Sequence, residues 1–186
     1  SFNPHGHGTH TECLGHITKE AESVNEISMP LLMPCLVHSI TPDQKDDDFV
    51  ITASHLPGGA DSTDPLPPSF IIRTLPNFIE KKSKNWANSN PPFLDVDFTN
   101  KLVERGVDHL LLDLPSVDKE VDGGALKSHR AFFGVDIKLR RSATITEFVF
   151  IPDVAPDGLY ALNLQIAPFD LDASPSRPII YPLLEA

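Results

Sequence analysis

The chain has 186 residues, a length that fits one domain. Its formal net charge of −11, from 26 acidic against 15 basic residues, excludes nucleic acid as a partner, because binders of a phosphate backbone present a basic face. At 40% hydrophobic residues there is enough apolar material for a sizeable core, yet no apolar run approaches the ~20 residues of a membrane span, so no membrane partner is expected either.

The first sixteen residues hold four of the eight histidines: His5, His7, His10 and His16. They stand in Asn3-Pro4-His5-Gly6-His7-Gly8-Thr9-His10-Thr11-Glu12-Cys13-Leu14-Gly15-His16, a Gly-rich run that cannot form a regular helix. Imidazoles crowded around a carboxylate read as a metal site built on a loop. The run is mixed in residue type, unlike an affinity tag, and leads directly into an apolar segment over 27–40. Neutral imidazole and carboxylate suit a divalent metal, zinc foremost, with manganese and iron served by the same ligands. Cys13 lies between two candidate site residues. A nucleophilic cysteine needs its own activating base, so Cys13 reads as a small apolar filler in the site wall. Cys13 and Cys35 do not make a disulfide framework, and both are expected to stay reduced in a cytoplasmic protein.

Further along, 36–40, 49–52 and 70–74 are rich in β-branched and aromatic residues and read as strands. The acidic run Asp46-Asp47-Asp48 and an irregular Pro- and Gly-bearing excursion over 57–68 separate them. Arg73 is a candidate for a bidentate grip on a substrate carboxylate, as is Arg177, although an ion pair is the commoner fate of such an arginine. Lys81-Lys82-Ser83-Lys84 is the only basic run and reads as a solvated loop or helix end. Trp86 and Phe93 either line an aryl pocket or pack under their loop, with packing favoured. A helix is expected over 97–105: Phe98, Leu102 and Val103 recur at helical spacing, Asp95 and Asp97 suit its N-terminus, and Gly106 stops it. The continuous apolar run over 107–114 predicts a strand buried on both faces. Strands are also expected over 145–151, 159–169 and 179–181, and in the second of these Tyr160, Leu162, Leu164 and Ile166 alternate with their neighbours. The 18 prolines are scattered and punctuate loops. The result is an α/β domain, rich in strands with few helices.

Taken in order, four motifs resemble the metal-dependent cyclase family of kynurenine formamidase-like hydrolases. The family carries His-x-Gly-Thr-His-x-Asp-x-Pro-x-His. Gly8-Thr9-His10 matches it, Glu12 stands at the Asp and His16 at the final His, while the family's first His falls on Gly6 and its Pro on Leu14. Leu102-Val103-Glu104-Arg105-Gly106-Val107 and Leu111-Leu112-Asp113-Leu114-Pro115-Ser116-Val117-Asp118 resemble the family's helix, glycine, strand and Pro-Ser-Val-Asp turn. Ser128-His129-Arg130 is similar to its Ala-His-Arg segment, and Pro175-Ser176-Arg177-Pro178 to its closing Pro-x-Arg.

The resemblance implies a swivelling β/α/β architecture and the metal ligands His10, Glu12, His129 and Glu147. Either His5 or His7 swings in for the missing ligand at Gly6, or the coordination set shrinks; one metal is expected ahead of two. His16 takes the place of the family's general base or proton shuttle, which an imidazole suits, with a purely structural histidine as the alternative. Asp118 and Ser116 either orient ligands from behind or simply cap their turn. The implied activity is hydrolysis of a C–N bond in a small-molecule amide or cyclic amide, arylformamides being nearest. The alternatives are a decayed family member that binds a metal or small ligand without turnover, and an unrelated strand-rich domain with a fortuitous histidine cluster. Family members assemble as homo-oligomers, so a dimer or tetramer is expected. They carry strand-forming sequence before this motif, so the chain is expected to lack a preceding N-terminal segment.

Overall fold

The computed structural model describes residues 1–183. Its strands are β1 (His10–Glu12), β2 (Met33–Ile40), β3 (Asp43–Lys45), β4 (Asp48–Ile51), β5 (Ser69–Thr74), β6 (Phe93–Leu94), β7 (His109–Leu112), β8 (Thr144–Glu147), β9 (Gly158–Ile166) and β10 (Ala173–Pro182). Its two α-helices are α1 (Val96–Glu104) and α2 (Lys127–Phe132). Seven strands close into a barrel in the order β1-β10-β9-β2-β5-β7-β8, and β3-β4-β6 form a small separate sheet. Within the barrel β2, β5, β7 and β8 run parallel to one another, whereas β1, β9 and β10 pair antiparallel with their neighbours.

Both faces of the parallel strands are apolar, which is what 107–114 predicts. Leu110, Leu111 and Leu112 are all fully buried, but they serve two different cores. Leu111 points into the barrel with Cys35, Val37, Ile71, Tyr160, Leu162 and Leu164. Leu110 and Leu112 point outward with Phe70, Ile72 and Ile145, under Phe98 and Leu102 of α1 and Phe132 of α2. Each large apolar side chain so buried contributes roughly 1.5–3 kcal/mol relative to exposure. α1 starts where Asp95 accepts a hydrogen bond from the Asp97 amide at 2.7 Å, and the chain leaves it through Gly106 at φ 92°.

The expected strands over 36–40, 49–52 and 70–74 fall on β2, β4 and β5, and the expected helix on α1. Three elements differ. The strand expected over 145–151 ends at Glu147, because Phe148 adopts φ 56°, a left-handed conformation that stops an extended ladder. Residues 10–12 form strand β1 rather than a loop, held on both edges by β8 and β10. α2 has only six residues, too short for a periodic signal, and is led by Leu126 at φ 46°. Among the described residues no helix is long and apolar enough to cross a membrane.

Candidate metal centre

β1 places the opening run. His10 and Glu12 are two residues apart and so share one strand face, the outward one, while Thr11 turns to the other and meets the Thr146 hydroxyl at 2.8 Å. The β1–β8 register sets His10 directly opposite Glu147. On this face His10 Nε2 lies 3.3 Å from Glu147 Oε2, and His129, carried in by α2, lies 2.9 Å from Glu12 Oε1 and 3.8 Å from Glu147 Oε1 through its Nε2. From the far side His5 Nδ1 approaches Glu12 Oε2 at 3.3 Å and His16 Nε2 at 3.8 Å. The mid-chain histidine and the N-terminal cluster therefore converge on one carboxylate.

The outer nitrogens of three imidazoles are tied down. His129 Nδ1 is 2.7 Å from Asp118 Oδ2, His10 Nδ1 is 2.9 Å from the Gly8 carbonyl, and His5 Nε2 is 2.9 Å from Asp172 Oδ2. Carbonyl and carboxylate oxygens only accept, so these ring nitrogens donate, and the lone pair of each ring points inward. Asp118 also accepts the Ser128 and His129 amides at 2.7 and 3.1 Å, so it caps α2 and orients its histidine at once. Ser116 Oγ in turn accepts the Asp118 amide at 3.1 Å. Glu147 Oε1 accepts the Val117 amide at 3.2 Å.

The inward atoms lack partners. His10 Nε2, His129 Nε2 and both Glu12 carboxylate oxygens are buried without a hydrogen bond, although His129 Nε2 and Glu12 Oε1 are close: they are misaligned for one. An unpartnered buried polar atom costs about 1–3 kcal/mol, more when charged, so four together need a compensating ligand. Two donors each about 2.1 Å from one cation stand roughly 3–3.5 Å apart, close to the spacings here. Two sets of ligand atoms lie within 4.8 Å of one another, His10 with Glu12 and Glu147, and His5 with Glu12 and His16. Nitrogen and oxygen donors of this kind fit zinc, manganese or iron.

The electrostatics agree with a site short of positive charge. Burial pushes the Glu12 carboxyl up, but the facing His129, His5 and His16 hold it well below the usual range. Glu147 is raised, by burial first and then by the Glu12 charge. Burial opposes protonation of His129, yet Glu12 and Asp118 outweigh it and hold its pKa well above the ordinary value. His5 behaves alike and is raised to about 8, burial being overcome by Glu12 and Asp172. His16 goes the other way, lowered by burial and by the neighbouring His129 and His5.

Of the two histidines flanking Gly6, His5 enters the centre. His7 stays exposed, bonded through Nδ1 to the Asn3 carbonyl at 2.7 Å and packed against the Phe2 ring. Arg73 is not brought to the cluster. Its guanidinium donates to Ser39 Oγ, the Pro152 and Ala155 carbonyls and Asp157 Oδ1, which leaves no free fork for a substrate. Arg177 lines a different cavity, with Ile71, Leu111 and Ile179. The Cys13 thiol is buried, pushed up to about 11 by that burial, and donates to the Glu22 carbonyl rather than to a side-chain base. Asp172 is the residue that spacing alone does not reveal. Its carbonyl accepts the Cys13 amide at 2.9 Å, so pairing of β10 with β1 delivers its carboxylate to His5 and, at 3.4 Å, to His16 Nδ1. The only clue was its position just before Pro175-Ser176-Arg177-Pro178.

Fold and donor set together define a seven-stranded barrel with a candidate cation centre on its helix-covered face. The chain belongs to the family described as Putative cyclase, whose model matches residues 1–119. It is 29% identical over 175 residues to a kynurenine formamidase of Bordetella petrii, an alignment that covers 93% of this chain and 75% of that protein. Among solved structures, a potential metal-dependent hydrolase with cyclase activity matches with a TM-score of 0.70 at 18% identity, over 97% of this chain and 80% of its own. Isatin hydrolase A from Labrenzia aggregata, bound to benzyl benzoate, matches with a TM-score of 0.63 at 16% identity, over 94% and 72%. At these identities the two structures speak to the fold alone.

Proposed function

We propose that the protein is a metal-dependent hydrolase of the C–N bond in an amide or cyclic amide, with arylformamides as the nearest substrates. The observation that carries the reading is the set of inward-facing, unpartnered atoms of His10, His129 and Glu12, with the outer nitrogens of both rings already tied down. Family membership and the kynurenine formamidase relative support it. His10, Glu12, His129 and Glu147 would hold one divalent cation, zinc foremost, with His5 standing in for the family ligand absent at Gly6. A divalent cation so held lowers the pKa of water to about 7 and polarises a carbonyl.

The remaining work falls to the chain. His16 is a quarter exposed, so water and substrate reach it from solvent. Its Nδ1 faces Asp172 and its Nε2 faces Glu12, which fixes the ring. His16 accepts the proton released by the attacking water and returns it to the amide nitrogen as the C–N bond breaks, giving a carboxylic acid and an amine. Burial favours the neutral imidazole that this first step needs. Asp118 and Asp172 hold their imidazoles in the donating tautomer.

Glu12 belongs to both ligand sets, and this favours a second reading with two cations sharing that carboxylate. His16 would then be a ligand rather than a base. A stoichiometry of two ions per chain after equilibrium dialysis would select it, and one ion the first reading. The proposal includes the family's swivelling β/α/β arrangement and a dimeric or tetrameric assembly. Its test is a panel of formamides, lactams and cyclic imides offered to zinc- and manganese-loaded protein. Hydrolysis of at least one, lost in His16→Asn, is expected; no hydrolysis of any overturns the proposal in favour of a binding protein without turnover.

A further inference from the structure

A two-lobed hollow opens beside the candidate centre. One lobe, of about 420 Å³, runs from Gly6 and Phe148 to Lys82 and Lys84. The other, of about 480 Å³, runs from the same Gly6 and Phe148 to Ser116 and Asp118. Trp86 and Lys84 line both lobes. Gly6 and Phe148 are the chain neighbours of His5 and Glu147, and Asp118, which orients His129, lines the second lobe, so the hollow abuts the residues around the centre. A side-chain carbon at Gly6 would meet nothing within 4 Å, so this wall is open.

The basic run Lys81-Lys82-Ser83-Lys84, expected from the sequence to be merely solvated, thus lies on the rim of this hollow. Its three lysines are not equivalent. Lys81 is neutralised by the buried Asp113 at 2.8 Å. Among the described residues Lys82 and Lys84 form no ion pair, in a chain with 26 acidic residues. Each ammonium instead lies over an aromatic ring, Lys84 4.0 Å from the Trp86 centroid and Lys82 5.7 Å from that of Phe150. These contacts hold the cations beside flat apolar walls and leave their outward N–H groups free. A protein of net charge −11 repels an anionic ligand at long range; the first lobe, lined by Lys81, Lys82 and Lys84 against the single acid Asp113, reverses that sign locally, whereas Asp118, Glu120 and Asp122 line the second, so the first lobe is the one suited to an anion.

We propose that Lys82 and Lys84 form an anion subsite that selects aromatic amides bearing a carboxylate, with the ring against Trp86 and Phe148 and the carboxylate on the two ammonium groups. This rests on the hydrolase reading for its turnover assay, but binding tests it separately. The probes are formanilide and 2-formamidobenzoate, which differ by one carboxylate, and benzoate as a ligand that cannot be hydrolysed. In Lys82→Gln/Lys84→Gln the ratio of kcat/KM for 2-formamidobenzoate over formanilide should fall at least tenfold, mostly through KM. The exposed control Lys45→Gln/Lys138→Gln, which removes the same charge elsewhere, should keep the ratio. Calorimetry should show benzoate binding weakened at least fivefold in the first variant only. If formanilide is hydrolysed and neither the ratio nor benzoate binding moves, the subsite is overturned and the hydrolase reading stands. If neither amide is hydrolysed but benzoate binding depends on the two lysines, the subsite stands and the hydrolase reading falls. Absence of both hydrolysis and benzoate binding overturns both.

Discussion

His129 Nε2 stands 2.9 Å from Glu12 Oε1, and the two groups are too poorly aligned to share a hydrogen bond. One comes from a six-residue helix and the other from a three-residue strand, so neither element holds the geometry by its own length. Asp118 fixes the histidine from behind, and the flanking strands β8 and β10 fix the glutamate. The pair is oriented for something placed between them, and this relationship generates the first prediction.

Glu12→Gln keeps the shape and removes the charge shared by both ligand sets. Cation affinity is expected to fall by more than the roughly 10–100-fold typical of an outer partner. Competition titration with a chromophoric chelator measures it; unchanged affinity would place the cation elsewhere.

His5→Ala should weaken cation binding about tenfold or more, and adding Gly6→His should recover part of the loss, since position 6 has open space for a side chain. Elemental analysis after dialysis reads both. No loss in His5→Ala would show that the coordination set has shrunk instead.

Asp172→Asn removes the acceptor that ties His5 Nε2 and faces His16 Nδ1. The expected cost is about 10–100-fold in cation affinity or activity, similar to that of Asp118→Asn acting through His129. Equal behaviour of Asp172→Asn and wild type in both assays would remove Asp172 from the site.

Arg73→Met strips donors from Ser39, two carbonyls and Asp157, none of them a residue of the centre. Loss of a buried network of this size should cost about 2–4 kcal/mol in urea denaturation without changing cation stoichiometry.

His109 is buried in β7 and meets the Thr144 hydroxyl at 2.9 Å. Burial, with a smaller push from Arg140 against the opposing Asp108, lowers its pKa below the ordinary value. The unfolded chain therefore binds the proton first as pH falls. This contribution to stability is fully present above about pH 6.5 and is lost as pH drops from there through the folded pKa. Urea midpoints at pH 7.5 and 5.5 should differ less in His109→Gln than in wild type.

What the sequence revealed depended on how far each pattern extends. The alternation at Tyr160, Leu162 and Leu164 and the two-faced burial of Leu110, Leu111 and Leu112 span enough residues to be read directly. β1 and α2, three and six residues long, cover fewer than two periods of their patterns, and tertiary contacts rather than local propensity form them. The choice between His5 and His7 turns on a 3-10 turn at Pro4–Gly6 that aims one ring inward. Asp172 is invisible because the β10–β1 pairing that delivers it is a long-range contact. Arg73 reads as a candidate clamp only until its four partners are known, and the two free lysines read as solvent-facing until the hollow beneath them is seen.

His10 and Glu12, the residues proposed to hold the cation, ride on the strand that completes the circle between β8 and β10. Any ion gripped there also acts as a clasp on the seam. Its binding adds to resistance against unfolding in proportion to the logarithm of its concentration over its dissociation constant. Chelation should therefore do more than silence chemistry: by loosening three residues it would leave two bare sheet edges, the kind of surface on which a second chain adds a strand.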